Sequence, residues 1–154
     1  MITQDVRTYS AELTSLGIEN EIVEHPELRA IKDVLEYLRL TFSDCLPTLI
    51  MKADDSFMAV VFRGDCKVDF KKIKKQLGIT DLRMATPDEF TQLTGLPIGA
   101  ARVYTPNVDK TIIDAKVFEK VHLMGGSGSF SCSIKYKTSD LAKIPNSVTE
   151  DIVQ

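Results

Sequence analysis

Apolar residues recur at helical spacing in three stretches of this chain. Val6, Tyr9, Leu13 and Leu16 predict a helix over residues 3–16, which Gly17 can end in a left-handed conformation. Ile31, Val34, Leu35 and Leu38 define a second amphipathic helix. Phe70, Ile73 and Leu77 define a third over 70–77, with Asp69 as its N-cap and Gly78 as its close. Thr86-Pro87-Asp88-Glu89 is a capping box with proline at the first helical position, and the helix it starts ends at Gly95. β-Rich runs lie between: 18–24, 46–53, 57–63, 82–85, 103–104, 111–113, 121–124 and 130–136. The runs 46–53 and 57–63, joined by Asp54-Asp55-Ser56, read as a hairpin, with the two aspartates as turn residues. Thr138 or Ser139 caps a last short helix through Lys143, Pro145 stops it, and the polar tail 146–154 reads as frayed. Hairpins and crossovers together predict one α/β domain over 1–154 with a mixed sheet.

Two glycine clusters stand out against this pattern. Residues 94–106, Thr-Gly-Leu-Pro-Ile-Gly-Ala-Ala-Arg-Val-Tyr-Thr-Pro, follow a helix end and hold two glycines and two prolines among small apolar residues. A loop of this kind can present bare N–H and C=O groups to a small ligand. Gly125-Gly126-Ser127-Gly128-Ser129 comes about twenty residues later, and the two clusters can face each other.

Composition narrows the class. A hydrophobic content of 44% and a charged content of 27% are ordinary for a globular chain. No run approaches the roughly 18 apolar residues of a membrane span, and the N-terminus has no signal-peptide pattern. Cys45, Cys66 and Cys132 are odd in number and show no Cys-x-x-Cys spacing, which predicts a reducing cytoplasm without disulfides or a zinc site. A net charge of −3 argues against tight non-specific binding to nucleic acid. The lysines at 71, 72 and 75 are either a solvated helix face or a landing surface for RNA phosphates. His25 and His122 read as structural, and neither a nucleophile elbow nor a phosphate loop is present.

The series Leu-Arg-Met-Ala-Thr-Pro-Asp-Glu-Phe, "LTGLPIG" at 93–99, "TIID" at 111–114 and "MGGSGS" at 124–129, in that order, resembles the YbaK/prolyl-tRNA synthetase editing-domain family from about His25 to Leu141. The resemblance implies a mixed, partly barrel-like sheet with surrounding helices, and a small pocket that deacylates mischarged aminoacyl-tRNA without cofactor or metal. Small amino acids on proline tRNA would be the substrates, with aminoacyl-tRNA and a synthetase as partners. Gly99 and Ala100, with Gly95, Ala101, Val103, Gly125 and Gly126, would supply the amino-acid and oxyanion wall; Asp114 would position the loop or the substrate amine. The family's functional lysine is replaced by Pro47. Lys52 is either a substitute phosphate contact or a plain strand-end lysine. Val103 replaces a loop proline, Ala100 a common glycine, Met124 a polar residue and Ser131 an acidic one. A non-catalytic relative that binds tRNA, a synthetase or an amino-acid-like ligand is the alternative.

Overall fold

The computed structural model describes residues 1–154. Four helices form where the apolar stripes and caps place them: α1 (Gln4–Ser15), α2 (Ile31–Leu38), α3 (Phe70–Leu77) and α4 (Pro87–Thr94). The Asp69 carboxylate accepts from the N–H groups of Lys71 and Lys72, and Thr86 and Glu89 complete the capping box reciprocally. Gly78 and Gly95 end their helices at positive φ. No helix is long and apolar enough to cross a membrane.

Nine strands form two sheets, each mixed and neither a closed barrel. The first has the order β1 (Asn20–Glu24), β8 (Cys132–Lys137), β7 (His122–Gly126), β2 (Cys45–Leu46). The second has the order β5 (Leu82–Met84), β3 (Thr48–Ala53), β4 (Ser56–Val61), β6 (Lys110–Asp114), β9 (Ser147–Glu150). α1 lays Val6, Tyr9 and Leu13 against Leu123, Ile134 and Tyr136 of the first sheet. The second sheet is covered on both faces. Ile73 of α3 packs with Met51, Val60 and Ile112, and Phe90 of α4 with Ile50 and Ala59.

Three expectations change. The apolar run 46–53 is not one strand: Pro47 divides it, so that β2 belongs to the first sheet and β3 to the second. Proline has no N–H for a ladder, which makes it a natural point for the chain to change sheets. Residues 103–104 form no strand: Val103 is buried in the core, and the Tyr104 N–H donates to the Tyr9 hydroxyl in place of a ladder partner. The tail is not frayed. β9 pairs in parallel with β6, and Ile152 and Val153 are buried, as their β-branched character favours. The hairpin of β3 and β4 stands, with Asp54 at φ 52° in its turn.

Candidate active site

A cavity of about 200 Å³ lies between the first sheet, α2 and the loop that follows α4. Ile31, Val34 and Leu35 of α2 give it an apolar side. Gly99, Ala100 and Ala101 close it opposite Met124, Gly125 and Gly126 of β7. The two glycine clusters therefore meet, and glycine is required where they do. A Cβ at Gly126 would overlap the carbonyl oxygen of Ala101, and one at Gly125 would stand 2.8 Å from the Tyr136 ring and 2.9 Å from Val103. Gly99, at φ 87°, turns the loop. Gly99 and Ala101 line the cavity, and their N–H groups donate to no protein acceptor.

The loop is held down by a relay of phenols. The Tyr104 N–H donates to the Tyr9 hydroxyl at 3.0 Å, and the Tyr136 hydroxyl donates to the Gly126 carbonyl at 2.8 Å. Tyr136 has then used its proton, so the 2.7 Å contact between the two hydroxyls is a donation from Tyr9. Arg102 adds a bond from Nε to the Ser127 carbonyl at 2.8 Å, and its guanidinium lies 4.6 Å from the Tyr9 ring centroid. Burial pushes the Tyr9 phenol up to about 12, and Tyr136 also well above its ordinary value. Both stay neutral in the fold while the unfolded chain ionises near pH 10, so stability is expected to fall as pH rises from about 10 to about 12. An ultraviolet titration should show neither phenol ionising near pH 10 while the chain stays folded; ionisation near pH 10 without unfolding would contradict it.

Other expected site residues stand elsewhere. Gly95 serves only as the end of α4, outside the cavity, and Val103 is buried in the core behind the wall. The Ser131 hydroxyl donates to the Met1 carbonyl, beside a different depression. Asp114 is fully buried; its two carboxylate oxygens accept from the N–H groups of Lys116 and Ile152, so it anchors the tail and does not touch the cavity. Lys52 is removed from the site by distance, since it lies four positions along the strand from Thr48, or roughly 13 Å. Its ammonium lies 5.9 Å from the Phe57 ring centroid, by a depression shared with Asp54, Lys74 and Arg83. Lys72 bonds the Val153 carbonyl and pairs with Asp151, whereas Lys71 and Lys75 are exposed. α3 packs on the face of the second sheet opposite that of Ile50, so all three lysines stand behind the cavity.

The cavity also holds residues to which the sequence alone assigns no part in a site. Pro47 lines it as expected, and Thr48 beside it carries a buried hydroxyl with no hydrogen-bond partner. An unmet buried hydroxyl costs about 1–3 kcal/mol, which makes it a natural partner for a polar ligand atom. His25 and Ser133 line the cavity as a bonded pair, 108 residues apart in the chain, which no local signal could reveal. Arg29 is the one charged residue of the lining. Its guanidinium lies 4.5 Å from the Phe130 ring centroid and pairs with Glu27. Cys45 is no nucleophile: burial, and after it the carboxylates of Asp65 and Asp44, push its thiol up to about 11.

Residues 25–144 match the family model described as the aminoacyl-tRNA editing domain. Among curated proteins, the chain is 36% identical over 83 residues to a proline–tRNA ligase of Caldicellulosiruptor bescii, a match covering 54% of this chain and 14% of the ligase. It is 28% identical over 132 residues to that of Bacillus licheniformis, covering 85% of this chain and 23% of the ligase. The chain thus spans less than a quarter of these relatives. Two solved structures share the fold over nearly their whole length. One is described as a candidate trans-editing enzyme for prolyl tRNA synthetase (TM-score 0.86, 18% identity, 100% of this chain and 99% of that one). The other is the hypothetical protein APE2540 (TM-score 0.85, 21% identity, 98% of this chain and 100% of that one).

Proposed function

The chain belongs to the aminoacyl-tRNA editing domain family, and from that premise we propose that it hydrolyses the ester of a small amino acid mischarged on tRNA, first of all on proline tRNA. The observation that carries this reading is the backbone wall, in which residues 99–101 sit on Gly126 with two N–H groups free. Ester hydrolysis needs an acyl carbon held in place and donors for the oxyanion that develops on it. Gly99 and Ala101 supply those donors. The neighbouring ribose hydroxyl can assist the attacking water, so no side-chain nucleophile is required. Leu46 and the α2 residues bound the cavity on its apolar side and exclude larger amino acids, as a sieve does. A prolyl-tRNA synthetase is the natural partner for a protein that corrects this error.

Arg29 takes the place of the missing lysine in this reading. It is the cation of the cavity lining, and a guanidinium is suited to a phosphate of the tRNA 3′ end. Arg29→Ala is expected to raise KM about tenfold, the value of one charge-assisted bond, with kcat little changed. Equal steady-state constants would remove Arg29 from the site.

The test of the whole reading is hydrolysis of a panel of mischarged tRNAs, including alanyl-tRNA(Pro), by the purified protein. No turnover on any member, with an intact fold, would exclude a deacylase. Pro47 favours a second reading, a non-catalytic relative that binds tRNA, a synthetase or an amino-acid-like ligand. Pro47→Lys is expected to raise the deacylation rate if the pocket is catalytic, and to leave a pure binder without activity.

A further inference from the structure

The pair formed by His25 and Ser133 has no part in the chemistry above. The His25 N–H donates to the Ser131 carbonyl, which carries the β1–β8 pairing one residue further and brings the ring beside Ser133. Nδ1 lies 2.8 Å from the Pro26 carbonyl oxygen, and Nε2 lies 3.0 Å from Ser133 Oγ. A carbonyl oxygen can only accept, so Nδ1 carries the ring proton. In the neutral imidazole Nε2 is then the acceptor, and the Ser133 hydroxyl donates to it. The single hydroxyl proton is committed to the ring. What Ser133 can still offer the cavity is an oxygen lone pair.

We propose that Ser133 is the acceptor for the α-amino group of the bound aminoacyl ester, and that His25 is the positioning residue that keeps it an acceptor. This rests on the deacylase reading. The cavity lining contains no aspartate or glutamate, so an amino group entering it meets no carboxylate. Arg29 and the free N–H groups of the loop are donors, of the wrong polarity for an amine. The other lining serines are engaged locally: the Ser127 hydroxyl donates to the Cys132 carbonyl at 2.6 Å, and Ser129 Oγ pairs with Ser131 Oγ at 3.1 Å. Thr48 can donate or accept and so cannot select an amine. Ser133 is the side chain whose polarity the fold decides.

Two non-hydrolysable ligands test this by calorimetry: 3′-deoxy-3′-(alanylamino)adenosine and its propionylamino counterpart, which lacks only the α-amino group. The protein is expected to bind the alanyl compound about tenfold more tightly or better, the effect of a hydrogen bond to a charged donor. Ser133→Ala should bring the ratio of the two affinities close to one and leave the propionyl affinity unchanged, a pattern that a general structural defect would not give. Ser133→Cys, nearly the same shape with a weak acceptor, should lower the ratio in the same direction if the alanine variant does not fold. Equal binding of both compounds by the unaltered protein, or a ratio that survives both substitutions, overturns the role of Ser133 and leaves the deacylase reading standing. Binding of neither compound overturns both.

Discussion

Gly126→Ala is expected to lower deacylation at least a hundredfold while the chain still folds. The added methyl group would overlap the Ala101 carbonyl oxygen and approach its carbon to 3.0 Å. Both are backbone atoms, so no rotamer change relieves the clash. β7 is held by its pairing with β8 along its whole length and with β2 at Met124 and Gly125. The loop must lift, against the Tyr104–Tyr9–Tyr136 relay and Arg102. Overpacking of this kind costs about 1–3 kcal/mol, less than the 5–15 kcal/mol by which domains are usually stable. The loop N–H groups would nevertheless move by about an ångström relative to the acyl group, and a displacement of that size can cost roughly a hundredfold in rate. Gly78→Ala is the control, at a positive-φ helix end with nothing within 4 Å of the new Cβ. It should lose a little stability and no activity. Steady-state deacylation beside a thermal melt separates the two, and full activity in Gly126→Ala would exclude the wall from catalysis.

Asp114→Ala should do the reverse, with a large loss of stability and an unchanged kcat. The carboxylate is fully buried and satisfies the N–H of Lys116 at 3.0 Å through one oxygen and that of Ile152 at 3.0 Å through the other. Alanine would orphan both donors, and hydrogen bonds to a charged group are worth about 1.5–3 kcal/mol each. Together they correspond to a loss of about 3–6 kcal/mol, a fall in melting temperature of roughly 6–24 °C for a domain of this size. The loss should begin at the C-terminal segment, where amide exchange at Ile152 and Val153 would speed up first. Because Asp114 does not line the cavity, kcat measured well below the melting temperature should be that of the parent. A fall in kcat without a fall in stability would return Asp114 to the site.

Helices were legible because their signals are local. The Asp69 cap, the Thr86–Glu89 box and the stops at Gly17, Gly78 and Gly95 each involve residues within about one turn of one another, and all occur as the spacing predicts. The meeting of the two glycine clusters was also readable, since glycines at that density imply close backbone approach. Other features depend on partners that the local pattern does not specify. Pro47 stands in an apolar run that reads equally well as one strand, and only the presence of two sheets makes it a crossing point. The tail has β-branched residues, but whether they fray or pair depends on a free edge at β6 and on a carboxylate 38 residues away. Lys52 reads as near Pro47 in number, yet the extended strand carries it away from the cavity. His25 looks like a strand-end histidine until β8 brings Ser133 to its ring. Short-range sterics and capping are written in consecutive residues. Which polar groups share one buried space is decided by strand pairing across a hundred residues, and the chemistry of this pocket depends on that pairing.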